Sequence, residues 1–269
     1  MRRLQDRVAV VTGAGGGIGR CTALELASRG CDLALVDVNA DAIVATHEAV
    51  EAAGGQATIH VADVSDAERM GELAGEVVAQ HGACHILVNN AGVLTVGRFD
   101  NDALDDINWI IGINLFGAIH GCHFFLPALR DADEAHIVNV SSMAAFVGIP
   151  QNAVYSLTKG GIRAFSEALR AELIGTNIGV SVLFPGAVGT DITKGSRGSQ
   201  AARLDAFGEQ WFTKYFRRPP EAAARQIVRA IEHKRARVLL GPDARILDLT
   251  ARLLPGRSGL MGRALNLVT

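Results

Sequence analysis

Residues 7–29 read RVAVVTGAGGGIGRCTALELASR, and the pattern changes twice within this length. Residues 7–12 are a run of valine and alanine without alternation, which is typical of a strand buried on both faces of a parallel sheet. A glycine-rich turn follows at 13–19, and residues 20–29 have a helical pattern. Backbone N–H groups and the helix dipole converge on such a turn, and glycines let a ligand approach closely. The segment therefore predicts a phosphate-binding loop.

The glycine spacing of this loop fits more than one nucleotide-binding pattern. Thr12, Gly13, Gly17 and Gly19 match T-G-x-x-x-G-x-G, and three consecutive glycines also satisfy T-G-x-x-G-x-x-G. The pattern G-x-G-x-x-G fails, because Ile18 stands where the third glycine belongs. The loop alone therefore does not choose a subfamily. A plain tight turn is the alternative, and the position between strand and helix disfavours it.

Strands and helices alternate along the rest of the chain. The pattern predicts further strands at 31–36, 56–61, 84–88, 136–140, 178–184 and 237–240, and helices at 40–53, 66–81, 105–130, 219–233 and 246–254. This order predicts one α/β domain over residues 1–269, a doubly wound Rossmann-type three-layer sandwich with a mostly parallel seven-stranded sheet. Ligands of such sheets bind beyond the carboxyl ends of the strands.

Composition narrows the class of protein. The chain has 269 residues, 49% hydrophobic residues, a net charge of −2 and a mean hydropathy of +0.22, so a sizeable core is expected and nucleic acid is not an expected partner. The four cysteines have no CxxC spacing, which favours a reduced, cytoplasmic protein. No signal-peptide pattern and no apolar run of membrane-spanning length are recognised. His120 and His123 flank Cys122, but no further ligand cluster follows, so no metal is expected.

Polar residues follow several of the predicted strands. Asp37 ends the second strand about 20 residues beyond the glycines, where the ribose hydroxyls of NAD are bound in dinucleotide folds. Asp37 could instead be a turn or helix-capping aspartate, although Asp41 is the better candidate for that role. Asp63, Asn90 and Ser142 follow later strands. Because parallel strands end at the same edge of the sheet, these side chains predict one common site.

The segment 139–159 carries the candidate chemistry. Tyr155 and Lys159 are four residues apart and so share one face of a helix. A fixed positive charge favours the phenolate and lowers the pKa of the phenol from its ordinary value near 10. Such a tyrosine can exchange a proton with an alcohol, and Ser142 can offer a hydroxyl at the same place. By itself, the Tyr–Lys spacing is also a common chance pair on a helix surface.

Asn114 lies at the centre of the apolar helix predicted for 105–130. Burying an amide costs free energy unless the amide is hydrogen-bonded. The residue is therefore either a buried tie between two elements or a polar member of the site.

These motifs together resemble the short-chain dehydrogenase/reductase family across nearly the whole chain, and the single-domain, NAD-preferring branch of it in particular. The matching pieces are Thr12-Gly13-x-x-x-Gly17-Ile18-Gly19, Asp63-Val64, Asn89-Asn90-Ala91-Gly92, Asn114, Ser142, Tyr155-x-x-x-Lys159 and Pro185-Gly186. The resemblance implies an NAD-dependent oxidoreductase that interconverts a secondary alcohol and a ketone.

The resemblance also implies residue roles. Tyr155 is expected to be the general acid/base, with a pKa lowered by Lys159, which would also bind the nicotinamide ribose. Ser142 is expected to hold the substrate oxygen, and Asn114 to position a water that relays the proton to solvent. The implied NAD-binding residues are Gly13, Gly17, Ile18, Gly19, Asp37, Asp63, Val64, Asn90, Ala91, Gly92, Tyr155, Lys159, Pro185, Gly186, Val188 and Thr190.

The remaining segments bear on substrate and partners. Residues 191–216 mix glycine, serine and charge with Phe207, Trp211, Phe212, Tyr215 and Phe216, and are interpreted as a substrate lid or as ordinary core. Met143, Phe146, Val147, Val93 and Leu94 are expected near the nicotinamide, which favours a lipophilic substrate. The basic tail 244–269 is expected to dock on the fold or on a partner subunit, with a membrane surface as the alternative. A homo-oligomer, dimer or tetramer, is expected.

Two other functions remain open from the sequence. The same fold can serve as a non-catalytic cofactor-binding or scaffold protein, and loss of Ser142, Tyr155 or Lys159 would have favoured that reading, but all three are present. The same site can also carry a dehydration or an epimerisation. The identity of the substrate is not encoded in these motifs.

Overall fold

The computed structural model describes residues 1, 3–189, 191–193, 195–201 and 218–255. Its strands are β1 (Val8–Thr12), β2 (Asp32–Asp37), β3 (Gln56–Val61), β4 (Ile86–Asn89), β5 (Ala135–Val140), β6 (Ile178–Pro185) and β7 (Arg237–Leu240). They form one seven-stranded sheet in the order β3-β2-β1-β4-β5-β6-β7. Every pairing is parallel, which confirms the predicted fold class.

Helices cover both faces of the sheet because every central strand is apolar on both sides. They are α1 (Gly17–Ala27), α2 (Ala40–Ala52), α3 (Ala67–His81), α4 (Leu104–Ile111), α5 (Gly117–Asp131), α6 (Ala153–Glu172), α7 (Pro220–His233) and α8 (Pro242–Leu253). One buried cluster joins α1, α2 and α7 to the sheet, and the other joins α3, α5 and α6 to the opposite face. The result is the predicted three-layer sandwich.

Strand order reverses between β1 and β4. The chain moves outward from β1 to β2 and β3, then returns to β4 on the other side of β1. The carboxyl ends of β1 and β4 therefore diverge into a crevice, and in open α/β sheets ligands bind there. The glycine loop after β1 and the Asn89–Gly92 segment after β4 both lie at this point.

Two helix predictions need correction. The helix expected at 105–130 is interrupted, because the five residues Gly112–Phe116 form a π-helical turn between α4 and α5. The last helix begins at Pro242 rather than at residue 246. Proline suits the first helical position, where no intrahelical partner is needed for its missing N–H.

The expectation about apolar length also needs correction. The stretch Leu104–Asp131 is long and apolar enough to cross a membrane by length and composition, with a mean hydropathy of 1.5 in its most apolar window. The fold accounts for this composition, because α5 packs against β4, β5 and α3 as one of the covering helices. Of that window, 39% is buried inside the fold, and core helices of water-soluble proteins can pass the same test of length and composition.

Candidate active site

The glycine loop is built by backbone conformation and by lack of space. Gly13 and Gly17 have positive φ angles of 64° and 51°, in the region that favours glycine. A Cβ on Gly19 would overlap the carbonyl oxygen of Gly13 and lie 2.6 Å from Nδ2 of Asn90. Gly16 caps α1 without a side chain, and the first turn of α1 carries no acidic residue. The helix terminus is thus a cradle that fits an anionic diphosphate.

Side chains tie this loop to the segment after β4. The Thr12 hydroxyl accepts hydrogen bonds from the backbone N–H of Asn90 at 3.0 Å and of Ala91 at 3.1 Å. Asn90 Nδ2 donates to the carbonyl oxygens of Thr12 at 3.0 Å and Gly13 at 3.3 Å. Asn90 therefore holds the two halves of the crevice together, and its predicted contact with NAD stays a prediction.

A single methyl group on Gly19 is expected to be enough to open this crevice. Gly19→Ala forces the Gly13 carbonyl and the Asn90 amide apart, so we expect dinucleotide affinity to fall about tenfold or more and the melting temperature to drop. Gly75→Ala on α3 is the matched control, since a Cβ there lies outside the glycine loop and meets no described heavy atom within 4 Å. Calorimetric titration with NAD would measure both. Equal affinities for the two variants would contradict the assigned packing.

Asp37 lies at the carboxyl end of β2, beside the glycine loop. Its Oδ2 accepts a hydrogen bond from Gly15 N–H at 2.8 Å, and its Oδ1 accepts one from Asn39 N–H at 2.9 Å. The Asn39 side chain caps α2 by accepting from Ala42 N–H, so Asp37 is not needed as the helix cap. The carboxylate is thereby held next to the cradle.

Asp63 and Val64 follow β3. The Asp63 carboxylate is exposed and accepts from the backbone and the hydroxyl of Ser65, at 2.9 Å and 2.7 Å. Val64 is buried, and its carbonyl oxygen lies 3.0 Å from Nδ1 of His120. His120, considered above beside Cys122, is thus accounted for by packing against this loop.

Tyr155 and Lys159 lie in the first two turns of α6. Lys159 is buried, and its Nζ donates to the carbonyl oxygen of Val140 at 3.1 Å. The same Nζ lies 5.8 Å from the centroid of the Tyr155 ring. Ser142 lies two residues beyond the end of β5 and accepts a hydrogen bond from Ala144 N–H at 3.2 Å. Hydroxyl, phenol and ammonium are therefore brought together, as the sequence predicts.

The ionisation of this group differs from the expectation. Burial raises the pKa of Tyr155, and a hydrogen bond with Ser142 opposes that shift. Burial also lowers the pKa of Lys159 to about 8. The predicted lowering of the tyrosine pKa by Lys159 is therefore not seen in these contacts, because burial favours the neutral phenol and the ammonium is directed at the Val140 carbonyl.

Asn114 lies in the π-helical turn and is buried. Its Oδ1 accepts from Val93 N–H at 2.7 Å, and its Nδ2 donates to the Val93 carbonyl at 2.9 Å. Nδ2 also lies 3.4 Å from the Thr158 hydroxyl, which donates to the Tyr155 carbonyl at 2.8 Å. The amide thus links α6 to the segment after β4. Its expected part in a water relay stays a prediction.

Gly92 connects these groups to the crevice. A Cβ built on Gly92 would lie 3.3 Å from Oδ1 of Asn114 and 3.4 Å from Nζ of Lys159. The Asn89–Gly92 segment therefore runs between the glycine loop on one side and the Tyr155 group on the other. A ligand lying in the crevice between the ends of β1 and β4 would therefore reach both the glycine loop and the Tyr155 group.

The loop after β6 borders the same edge. Gly186 N–H donates to the Leu240 carbonyl at 2.9 Å, and Gly189 N–H donates to the Arg218 carbonyl at 2.8 Å. Val188 is half-buried and forms an isolated bridge with Arg218. Thr190, the last of the predicted NAD-binding residues, lies outside the described residues.

Predicted substrate contacts are only partly brought together. Val93 and Leu94 belong to the segment after β4, and Val93 is hydrogen-bonded to Asn114. Val147, in contrast, is buried. The Phe146 ring packs on Phe184 at 4.6 Å between centroids, with two arginine guanidinium groups over it. Phe146 is therefore part of the packing between the strands and α6, not a free wall of a substrate pocket.

The beginning of the predicted lid is anchored. Arg197 N–H donates to the Leu94 carbonyl at 3.1 Å, and Val96 N–H donates to the Arg197 carbonyl at 2.9 Å. The Arg197 guanidinium also stacks 4.2 Å from the Trp109 ring. Residues 202–217, with the predicted aromatic cluster Phe207 to Phe216, lie outside the described residues, as do residues 256–269 of the basic tail.

A buried polar network beneath the site was missed by the sequence analysis. Asn89 Nδ2 donates to Asn139 Oδ1 at 2.8 Å, and Asn139 Nδ2 donates to the Ser166 hydroxyl at 2.9 Å. The network ties β4, β5 and α6 together. The available signal was a polar residue at the end of each apolar strand, in ILVN and HIVNV.

Comparison with known proteins agrees with this geometry. The family described as short chain dehydrogenase matches residues 7–201. A putative oxidoreductase SadH from Mycobacterium tuberculosis is 34% identical, over 94% of this chain and 93% of that protein. A short chain dehydrogenase/reductase from Burkholderia phymatum in complex with NAD has a TM-score of 0.86 at 28% identity, covering 97% of each chain.

A second solved structure bears on the cofactor. A metagenomic short-chain oxidoreductase in complex with NADP has a TM-score of 0.74 at 27% identity, covering 88% of this chain and 97% of that one. Structural neighbours thus carry either nicotinamide dinucleotide. The family match over most of the chain, the curated relative and the shared fold show that this protein belongs to the short-chain dehydrogenase/reductase family of oxidoreductases.

Proposed function

We propose that the protein is an NAD-preferring dehydrogenase/reductase that interconverts a lipophilic secondary alcohol and a ketone, with Tyr155 as general acid/base. The observation that carries this proposal is the meeting of Ser142, Tyr155 and Lys159 at the end of β5, beside an anion cradle. A phenol next to a hydroxyl and an ammonium suits proton exchange with an alcohol oxygen. NAD, when bound, supplies the carbon that accepts or returns the hydride.

The residues present fit a nicotinamide dinucleotide. The cradle at Gly13–Gly19 would hold the diphosphate, and Asp37 would accept from the adenosine ribose. Lys159 would reach the second ribose, and the loop after β6 would border the nicotinamide. Neighbouring structures carry NAD or NADP, so the preference for NAD is argued from Asp37 alone.

The protein side of the reaction follows from the described contacts. Ser142 would donate to the carbonyl oxygen of a ketone, and Tyr155 would protonate that oxygen in the reductive direction. In the oxidative direction, the phenolate would take the proton of the alcohol. The Asn114 amide and Thr158 hold α6 against the segment after β4. The phenol therefore keeps its position in the oxidative and in the reductive reaction.

A nicotinamide absorbance assay tests the proposal. We expect oxidation of a panel of apolar secondary alcohols with NAD, and reduction of the corresponding ketones with NADH. Activity restricted to multiply charged substrates would contradict the lipophilic assignment. Turnover without any change in nicotinamide absorbance would support a dehydratase or an epimerase, and dinucleotide binding without turnover of any kind would support a scaffold.

The pH dependence of oxidation should depend on Lys159. The phenolate is the proton-accepting form, so the rate should rise with pH through the pKa of Tyr155. An ammonium close to a phenol favours the phenolate, and Lys159 Nζ lies 5.8 Å from the centroid of the Tyr155 ring. Lys159→Met removes that attraction while burial continues to raise the tyrosine pKa. We expect the rising limb of the kcat/KM profile to move to higher pH by about one unit or more.

This prediction needs a control for folding, because Lys159 is buried and bonded to Val140. Melting temperature and circular dichroism of Lys159→Met would establish that the variant is folded. We also expect weaker NAD binding. A folded Lys159→Met protein with an unchanged pH profile would argue against the pair.

A further inference from the structure

Asp243 holds the loop after β6 from a distant part of the chain. The side chain extends from the first turn of α8, and its Oδ2 accepts a hydrogen bond from Ala187 N–H at 2.7 Å. The next residue upstream, Gly186, is bonded to Leu240 at the end of β7. Two consecutive N–H groups of this loop are thus fixed by the β7–α8 connection.

The space for this carboxylate is made by two glycines. A Cβ on Gly186 would overlap both oxygens of Asp243, and a Cβ on Gly241 would overlap Oδ1. Gly241 also has a φ of 98°, which other residues rarely adopt. The loop, the β7–α8 connection and the carboxylate therefore fit together as one unit.

The carboxylate is enclosed on its other side. Its Oδ1 is shielded from solvent and has no hydrogen-bond partner among the described residues. Enclosing a carboxylate oxygen is unfavourable, whereas a charge-assisted bond from Oδ2 to a backbone N–H is a strong one. The hydrogen bond from Ala187 N–H to Oδ2 is the interaction that compensates for enclosing this carboxylate.

Ala187 also connects this loop to Arg218. Its carbonyl oxygen accepts from Arg218 N–H at 2.8 Å, and Gly189 N–H donates back to the Arg218 carbonyl. Val188 lies between these bonds and is half-buried. The backbone of 187–189 is therefore fixed by Asp243 at its start and by Arg218 at both ends.

We propose that Asp243 is a positioning residue that fixes the loop 185–189 for the nicotinamide end of the dinucleotide. It acts through Ala187 and touches neither substrate nor dinucleotide. The role rests on the proposed function, since it assumes that this loop borders the nicotinamide. It predicts that loss of the carboxylate harms binding of the whole dinucleotide but spares binding of its adenosine half.

The test compares NAD with ADP-ribose, which lacks nicotinamide, by calorimetric titration. For Asp243→Ala we expect about a tenfold weaker Kd for NAD, because a buried N–H loses its partner, and an ADP-ribose Kd within about twofold of the unmodified protein. Asp243→Asn keeps an acceptor for Ala187 and should restore most of the NAD affinity. In the dinucleotide-free protein, amide hydrogen exchange of residues 185–189 should quicken in the alanine variant only.

Asp248→Ala is the matched control on the same helix. Asp248 is bonded to Arg237 and Arg252 and not to the loop, so its loss perturbs α8 without freeing Ala187. Equal weakening of NAD and ADP-ribose by both alanine variants would overturn the proposal in favour of a purely structural role. So would unchanged exchange at 185–189 in Asp243→Ala. An unmodified protein that oxidises no alcohol would overturn the proposed function instead, while the binding and exchange results still decide the role of Asp243.

Discussion

Tyr155→Phe is expected to lower kcat by about 10² or more, the range for loss of a general acid/base. The substitution removes the exchangeable proton at the reacting oxygen and keeps the ring, which lies 5.8 Å from Lys159 Nζ. Dinucleotide affinity should stay within about threefold, since the phenol is not needed to fill the cradle. Steady-state rates with the best alcohol and ketone, and calorimetry with NAD, would measure the two effects.

The same helix supplies the control for this experiment. Leu157 lies between Tyr155 and Lys159 in sequence, but it is 60% exposed, whereas both of those residues belong to the site. Leu157→Ala should therefore keep kcat within about twofold. A Tyr155→Phe protein that binds NAD and retains near-normal kcat would show that another group transfers the proton. In that case, the hydroxyl of Ser142 would be the next candidate.

Much of the site was predictable because parallel strands end at one edge of a sheet. The glycine loop, Asp37, Asn90 and Ser142 each follow or end a strand in sequence, whereas the Tyr155–Lys159 pair was found from its helical spacing. Once the alternation of strands and helices predicted a parallel sheet, their convergence followed without any side-chain detail. Hydrophobic runs were sufficient to find the central strands, because buried strands are apolar on both faces, whereas the edge strand β3 (QATIHV) is largely exposed.

The features that were missed depend on contacts between distant segments. The π-helical turn at Asn114 is invisible in a continuous helical pattern, since its reason is a pair of hydrogen bonds to Val93. Asp243 resembles an ordinary first-turn aspartate until its bond to Ala187 is seen, 56 positions away. The burial that raises the pKa of Tyr155 was also missed, because spacing identifies a neighbouring charge but not the extent of burial.

The NAD preference is expected to be at least about 10²-fold in kcat/KM over NADP, equivalent to about 2.7 kcal/mol. NADP carries a further phosphate on the adenosine ribose, with a charge of about −1.5 to −2. Asp37 is held at that end of the crevice by Gly15 and Asn39. Two unit charges about 4 Å apart repel by about 4 kcal/mol at an effective dielectric of 20, before solvent relaxation. Ala14, Gly15 and Gly16 in the loop and Val38 after Asp37 provide no basic side chain that could offset this.

Two substitutions separate the charge of Asp37 from its hydrogen bonds. Asp37→Ala removes both, so the NAD/NADP ratio should shrink mainly through weaker use of NAD. Asp37→Asn keeps an acceptor beside Gly15 and removes the charge, so the ratio should shrink mainly through better use of NADP. Asp41→Ala is the control, because Asp41 is an exposed carboxylate only four residues away on α2, and its loss should leave the ratio within about twofold. Equal use of both dinucleotides by the unmodified protein would mean that the Asp37 carboxylate does not face the ribose, since a charge held against the extra phosphate could not leave the two cofactors equivalent.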